Sequence, residues 1–211
     1  MTSKPSVAVF DYGIGNLRSA EKALQFVGAN ATLTSDEKIL RDSDGVVLPG
    51  VGAFGRCVEA LEDSGLFDVA ASLAKEATQG GKPFLGICVG MQLLYKGSDE
   101  SSEKRGLGII EEQIQVISGD VKIPQMQWNK LRSDFLHPMF AGLEKDPWVY
   151  FVHSYAAPIT EESIAFCDYG TKINAAVATK NLWATQFHPE KSGNTGLLLL
   201  KNFLNLLRAE K

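Results

Sequence analysis

Cysteine, histidine and basic charge are all scarce in this sequence, and each scarcity removes a class of function. Only three cysteines occur in 211 residues, Cys57, Cys88 and Cys167. An odd, sparse set with no C-x-x-C spacing argues against a disulfide framework and against a structural zinc site, so no metal is expected. A net charge of −4 supplies no basic face for nucleic acid or for an anionic membrane surface. No apolar run approaches the roughly 18 residues that a membrane span needs. The start, Met1 to Pro5, lacks the apolar stretch of a signal peptide. A reducing cytoplasm is the expected compartment, where a lone cysteine is free to be catalytic.

What is present is an alternating pattern. Val7–Phe10 reads as a strand, followed by the turn 11–15 and a helix from Asn16 with Leu17, Ala20, Leu24 and Val27 on one face. Either Gly15 or Asn16 would cap it and Gly28 would end it. Ala31–Thr34 and Gly45–Leu48 read as strands, the second closed by Pro49-Gly50. Helical stretches follow over Ala53–Asp63 and Phe67–Thr78, then the strand Pro83–Ile87 and a helix Met91–Tyr95. This rhythm predicts an α/β fold, a mostly parallel central sheet flanked by helices on both faces.

The second half is richer in β signals, at Ile114–Ile117, Trp148–Val152, Ile164–Cys167, Ala176–Thr179 and Leu182–Phe187. Some antiparallel β is therefore expected there. The last helix carries a stripe of Leu197, Leu200, Leu204 and Leu207. With no repeat, low-complexity tract or linker, one domain over residues 1–211 is the expectation. Trp148 and Trp183, lying in strands, read as core; Trp128, among polar neighbours, reads as interface. Residues 99–105 read as a solvated loop, and Cys57 and Cys167 as structural.

Gly86-Ile87-Cys88-Val89-Gly90 stands between an apolar strand and a helix start, the thiol form of a strand–turn–helix nucleophile elbow. Glycines two residues either side remove clashes, and the sulfur projects beyond the strand end. The Val89 amide would face a developing oxyanion, and the helix dipole would make the thiol more acidic. The plain alternative is a buried cysteine acting as a small hydrophobe.

A thiol nucleophile needs a base. Of His137, His153 and His188, the last stands in His188-Pro189-Glu190, where the proline favours an extended backbone and residues two apart face one way. Glu190 can then orient the imidazole. A surface ion pair would read the same way. Pro49-Gly50-Val51-Gly52 follows another buried strand, and on a parallel sheet it shares an edge with Cys88. It could lend a second oxyanion donor, or be an ordinary connection.

These three motifs, in this order and spacing, resemble class I glutamine amidotransferases. Within that family the chain is similar to the glutaminase subunits of imidazole glycerol phosphate synthase. Supporting segments are Asp11–Leu17, Gly106–Ile109, Trp128-Asn129, Tyr150–Tyr155 and Gln186–Gly193. The resemblance runs nearly end to end, so no attached synthetase domain is expected.

The resemblance implies that Cys88 attacks the glutamine carboxamide, His188 carries the proton and Glu190 orients His188. Glutamine would be held by Gly50, Val51, Gly52, Val89, Gln92, Ser154 and Tyr155. It implies no cofactor. Ammonia would pass to a separate (β/α)8-barrel cyclase of histidine biosynthesis, in a heterodimer faced by Asn16, Trp128, Asn129, Tyr150 and Lys191. It also implies a glutaminase nearly idle until the barrel binds ligand, with the Gly50-Val51 turn blocking the oxyanion hole beforehand.

One departure stands out. Where the family commonly reads Pro-His-Met-Gly-Trp-Asn, this chain has Pro124-Gln125-Met126-Gln127-Trp128-Asn129. Both changes are expected near the partner face, which leaves a sugar-amidination partner as an alternative. A cysteine peptidase or acyl hydrolase of the same fold is another. A non-catalytic binding subunit would need none of Cys88, His188 and Glu190.

Overall fold

The computed structural model describes residues 4–209. Seven strands form the central sheet: β1 (Ser6–Phe10), β2 (Asn30–Thr34), β3 (Gly45–Gly50), β4 (Phe84–Cys88), β10 (Ser163–Tyr169), β11 (Thr171–Thr179) and β12 (Leu182–Thr185). Their order is β10-β11-β12-β4-β3-β1-β2. From β12 to β2 all neighbours are parallel; β11 and β10 add antiparallel strands at one edge. The sheet is thus mostly parallel, with antiparallel β in the second half.

Strands β3, β4 and β12 are buried along their whole length, as strands covered on both faces are. The covers are α1 (Leu17–Phe26), α2 (Glu37–Asp42), α3 (Phe54–Asp63), α4 (Phe67–Thr78) and α6 (Gly193–Ala209). Helix α1 packs beside α6, and α3 beside α4. Their buried residues recur at helical spacing: Leu17, Ala20 and Leu24 in α1, Leu199, Leu200, Phe203, Leu204 and Leu207 in α6. Gly28, at φ +106°, turns the chain out of α1 where a side chain would be strained. Asn16 precedes α1, but its side chain makes no capping bond.

Three expectations are corrected. The helix read over Met91–Tyr95 is a single turn, α5 (Val89–Gln92), and Tyr95 opens a strand, β5 (Tyr95–Ser98). That strand joins β6 (Ile110–Val116) and β9 (Tyr155–Ala156) in a small second sheet. Trp128 does lie in a strand, β7 (Gln125–Lys130), which forms an antiparallel ribbon with β8 (Trp148–His153). Trp148 is not core: it sits on the ribbon's outer face at 52% exposure, with the Lys130 ammonium 5.7 Å from its ring. Trp183 is core.

Candidate active site

β4 delivers Cys88 and α5 starts at the next residue, so the cysteine sits at a forced corner. Its backbone has φ +56° and ψ −111°, a region L-residues rarely occupy and the mark of strain held for a purpose. The corner closes because both flanking glycines are required. A Cβ on Gly90 would overlap the Leu48 carbonyl oxygen, and one on Gly86 would come within 2.8 Å of the Gly90 oxygen. Gly50 is opposite Cys88 in the β3–β4 register, which puts the glycine turn beside the thiol. A Cβ there would meet the Gly90 nitrogen at 2.8 Å. Tyr12 ties this edge down, its hydroxyl donating to the Pro49 carbonyl at 2.6 Å.

His188 and Glu190 follow β12. The Nδ1–Oε1 separation is 2.7 Å, with both side chains almost wholly buried. The turn that holds them hangs from β8. The His188 amide donates to the Tyr150 carbonyl at 3.0 Å, and Ser192 Oγ donates to the His188 carbonyl while accepting from the Tyr150 amide. Nε2 of His188 is buried without a hydrogen-bond partner of good geometry. Burial works against the imidazolium. Interaction of this ring with Cys88, and with the Glu190 carboxylate, outweighs burial and raises its pKa to about 10. The arrangement favours a protonated imidazole at His188.

Of the other histidines, His137 accepts the Met139 amide on Nδ1, away from the thiol. His153 lines the same cavity as Cys88, but both its ring nitrogens are engaged, by the Tyr155 carbonyl at 2.8 Å and by Gln125 at 2.9 Å. Burial lowers its pKa to about 4.

A cavity of about 290 Å³ opens at Cys88, and six of the expected glutamine contacts line it: Val51, Gly52, Val89, Gln92, Ser154 and Tyr155. Gly50, opposite Cys88 in the register, is not among the lining residues. Glu100 also reaches the cavity, which the solvated-loop reading of residues 99–105 did not foresee; its Oε2 accepts the Phe54 amide at 2.7 Å, at the start of α3. Sequence reasoning also missed Gln186, fully buried with its Nε2 3.8 Å from the Cys88 sulfur. The available signal was an amide at the end of an apolar strand, two residues before His188.

The dipole argument for Cys88 is weakened, since α5 is one turn long and sums few peptides. Of the expected interface residues, Asn16, Trp128 and Lys191 are exposed and Tyr150 is half-buried, its ring edge-on to Trp128 at 6.0 Å. Asn129 points to the opposite face of β7 and donates to the Asp168 carbonyl. Of the two replacements in this segment, Gln125 is fully buried between His153 and Cys167, whereas Gln127 is exposed. A wider groove of about 880 Å³ lies on the ribbon side, between Trp128, Trp148 and the start of α6. Among the described residues no cluster of three or more His, Cys, Asp or Glu could hold a metal ion, and no helix is long and apolar enough to cross a membrane.

Residues 8–206 match the family model for glutamine amidotransferase class-I. The chain is 45% identical to imidazole glycerol phosphate synthase subunit HisH of Bacillus cereus over 97% of each chain, and 41% identical to its namesake in Bacillus thuringiensis over the same shares. It belongs to the class I glutamine amidotransferases, among the HisH subunits. A solved structure described as PurLQS from Thermotoga maritima, 22% identical, superposes with a TM-score of 0.74 over 96% of this chain and 99% of that one. That likeness shows the amidotransferase fold.

Proposed function

We propose that this amidotransferase, working as one domain, is the glutaminase half of an imidazole glycerol phosphate synthase. It hydrolyses glutamine and passes the ammonia to a (β/α)8-barrel cyclase of histidine biosynthesis. The observation that carries the chemistry is Cys88, held at positive φ at the end of β4, with His188, which interacts with it, fixed by Glu190. Cys88 and His188 interact, while the cavity at the sulfur suits a small polar substrate.

The Cys88 thiolate attacks the carboxamide carbon, and the carbonyl electrons move to oxygen. That oxyanion is met by the Val89 amide, which has no intrahelical acceptor at the start of α5, and by amides of the Gly50–Gly52 turn. His188 Nε2–H protonates the leaving nitrogen as the C–N bond breaks, releasing ammonia and leaving a glutamyl thioester. Water then attacks the thioester carbon and gives its proton to Nε2; the C–S bond breaks and glutamate leaves. Glu190 accepts Nδ1–H throughout and steadies the cation. Gln92 has both amide hydrogens committed within the protein, which leaves its Oε1 for the substrate. Glu100 offers a carboxylate to the substrate ammonium.

Two experiments test this. A glutamine-analogue affinity label is expected to modify Cys88, with no labelling in Cys88→Ser; undiminished labelling of the variant would overturn the nucleophile. Adding the barrel and its ribotide ligand is expected to raise glutaminase turnover sharply. No response would favour a sugar-amidination partner or a hydrolase. Gln125 is buried, so that replacement changes the interior, and the sugar-amidination reading keeps only the exposed Gln127 in its support.

A further inference from the structure

One buried amide beside the nucleophile has no part in the reaction above. Gln186 is anchored by its backbone N–H on the Ala175 carbonyl at 2.9 Å, and its side chain runs between Gln92 and Cys88. The two ends of a carboxamide have the same shape, so its orientation is set only by its partners. Here the partners leave no choice. The Tyr155 backbone carbonyl can only accept, so Gln92 presents its NH2 there, at 3.0 Å. The second hydrogen of that nitrogen faces Gln186, also at 3.0 Å, and Gln186 must answer with Oε1. The NH2 of Gln186 is then turned toward the sulfur, 3.8 Å away.

We propose that Gln186 is a positioning residue for Cys88, holding the sulfur by an N–H···S bond whose polarity the Tyr155 carbonyl imposes through Gln92. The inference rests on the reading of Cys88 as the nucleophile. An amide nitrogen carries no basic lone pair, so Gln186 steadies negative sulfur without competing for the proton that belongs to His188. The Tyr155 carbonyl is itself pinned by a second donor, His153 Nδ1 at 2.8 Å, at the end of β8. The same strand accepts the His188 amide through Tyr150. One ribbon strand therefore steadies both the sulfur and its base.

His153 extends the chain to β7. Burial keeps its ring neutral, and Nδ1 faces a carbonyl, so Nδ1 carries the hydrogen and Nε2 is a bare acceptor. The Gln125 amide stands with Oε1 2.9 Å from that nitrogen and Nε2 3.7 Å from the Cys167 sulfur. Turned through a half-circle in the same space, it gives its NH2 to His153 and accepts from the Cys167 thiol, which burial keeps protonated.

The test is the rate of iodoacetamide alkylation at Cys88 in the full-length chain, followed by mass spectrometry across pH. Gln186→Met keeps the reach and removes the donor. Gln92→Glu has no N–H to give, so the Gln186 amide turns its oxygen to the sulfur. A hydrogen bond to a charged group is strong enough that each variant is expected to react about tenfold more slowly near neutral pH and to regain the rate in strong base. Gln186 does not line the cavity, so Gln186→Met should lower kcat by a similar factor with KM for glutamine unchanged. If Gln186→Met does not fold, Gln186→Asn withdraws the amide by one methylene and reads out the same way. Alkylation profiles that superpose on the wild type, in variants with its melting temperature, would overturn the role of Gln186. Failure of a glutamine analogue to label wild-type Cys88 would instead overturn the reading beneath it.

Discussion

At the residue scale the site separates two histidines by their surroundings. His188 has a carboxylate 2.7 Å away and interacts with Cys88; His153 has only neutral hydrogen-bond partners. Glu190→Gln removes the acceptor that fixes the His188 tautomer. By analogy with orienting carboxylates in other triads, kcat in the partner-activated state should fall by about 10²- to 10⁴-fold with little change in melting temperature. A loss below about threefold in an ammonia-release assay would remove Glu190 from the triad. His153 makes a stability prediction with a definite sign. Its folded pKa, about 4, lies below the unfolded value, so the unfolded chain binds the extra proton between the two. The neutral ring's contribution is present above about pH 6.5 and is lost as pH falls toward about 4, on the order of 3 kcal/mol. Denaturant unfolding of wild type and His153→Gln at several pH values isolates it from the carboxylates. Parallel curves would show that His153 is not held neutral.

Elements carry these residues, and a tight contact between two of them sets the His188 turn. A Cβ on Gly196, inside α6, would overlap the Pro189 carbonyl oxygen, next to His188. Gly196→Ala must push α6 off that turn, with an expected loss of about 1–3 kcal/mol. Because small displacements of a base are costly, kcat should fall by about 10²-fold, out of proportion to the stability change. Wild-type kcat in this variant would mean that the helix does not set the turn. Such contacts explain what the sequence discloses. Helices α3 and α4 and the strand into Cys88 were legible because periodicity and glycine punctuation act locally. The Cys88 corner and the His188–Glu190 pair were legible for the same reason, each lying within a few residues. Strand β7 was not: Gln125–Lys130 is mostly polar, since one face of a two-stranded ribbon meets solvent. Helix α5 is too short for a period. Glu100 and Gln186 act across 46 and 98 residues of separation, on Phe54 and Cys88, and nothing local announces such pairings.

For the whole molecule, the ribbon β7–β8 would join activity to assembly in the proposed complex. Its inner side supports the His188 turn and the Tyr155 carbonyl; its outer side exposes Trp128 at 45% and Trp148 at 52% beside the start of α6. Exposed tryptophans are costly to leave in water and are enriched at binding hot spots, so this face suits the barrel. Trp128→Ala removes the ring that packs edge-on against Tyr150 without opening the core. It is expected to weaken the complex by about 2 kcal/mol, roughly a 30-fold rise in Kd, with the melting temperature of the isolated chain nearly unchanged. Phe26 is a sharper control than a polar residue, because at 78% exposure it offers more apolar surface than Trp128. It ends α1, at the far end from Asn16, so Phe26→Ala should leave Kd as it is. Titration of labelled barrel into both variants separates a surface that binds through this ribbon from one that binds through any exposed aromatic. Equal losses in the two would place the partner elsewhere, and the ammonia would need another exit.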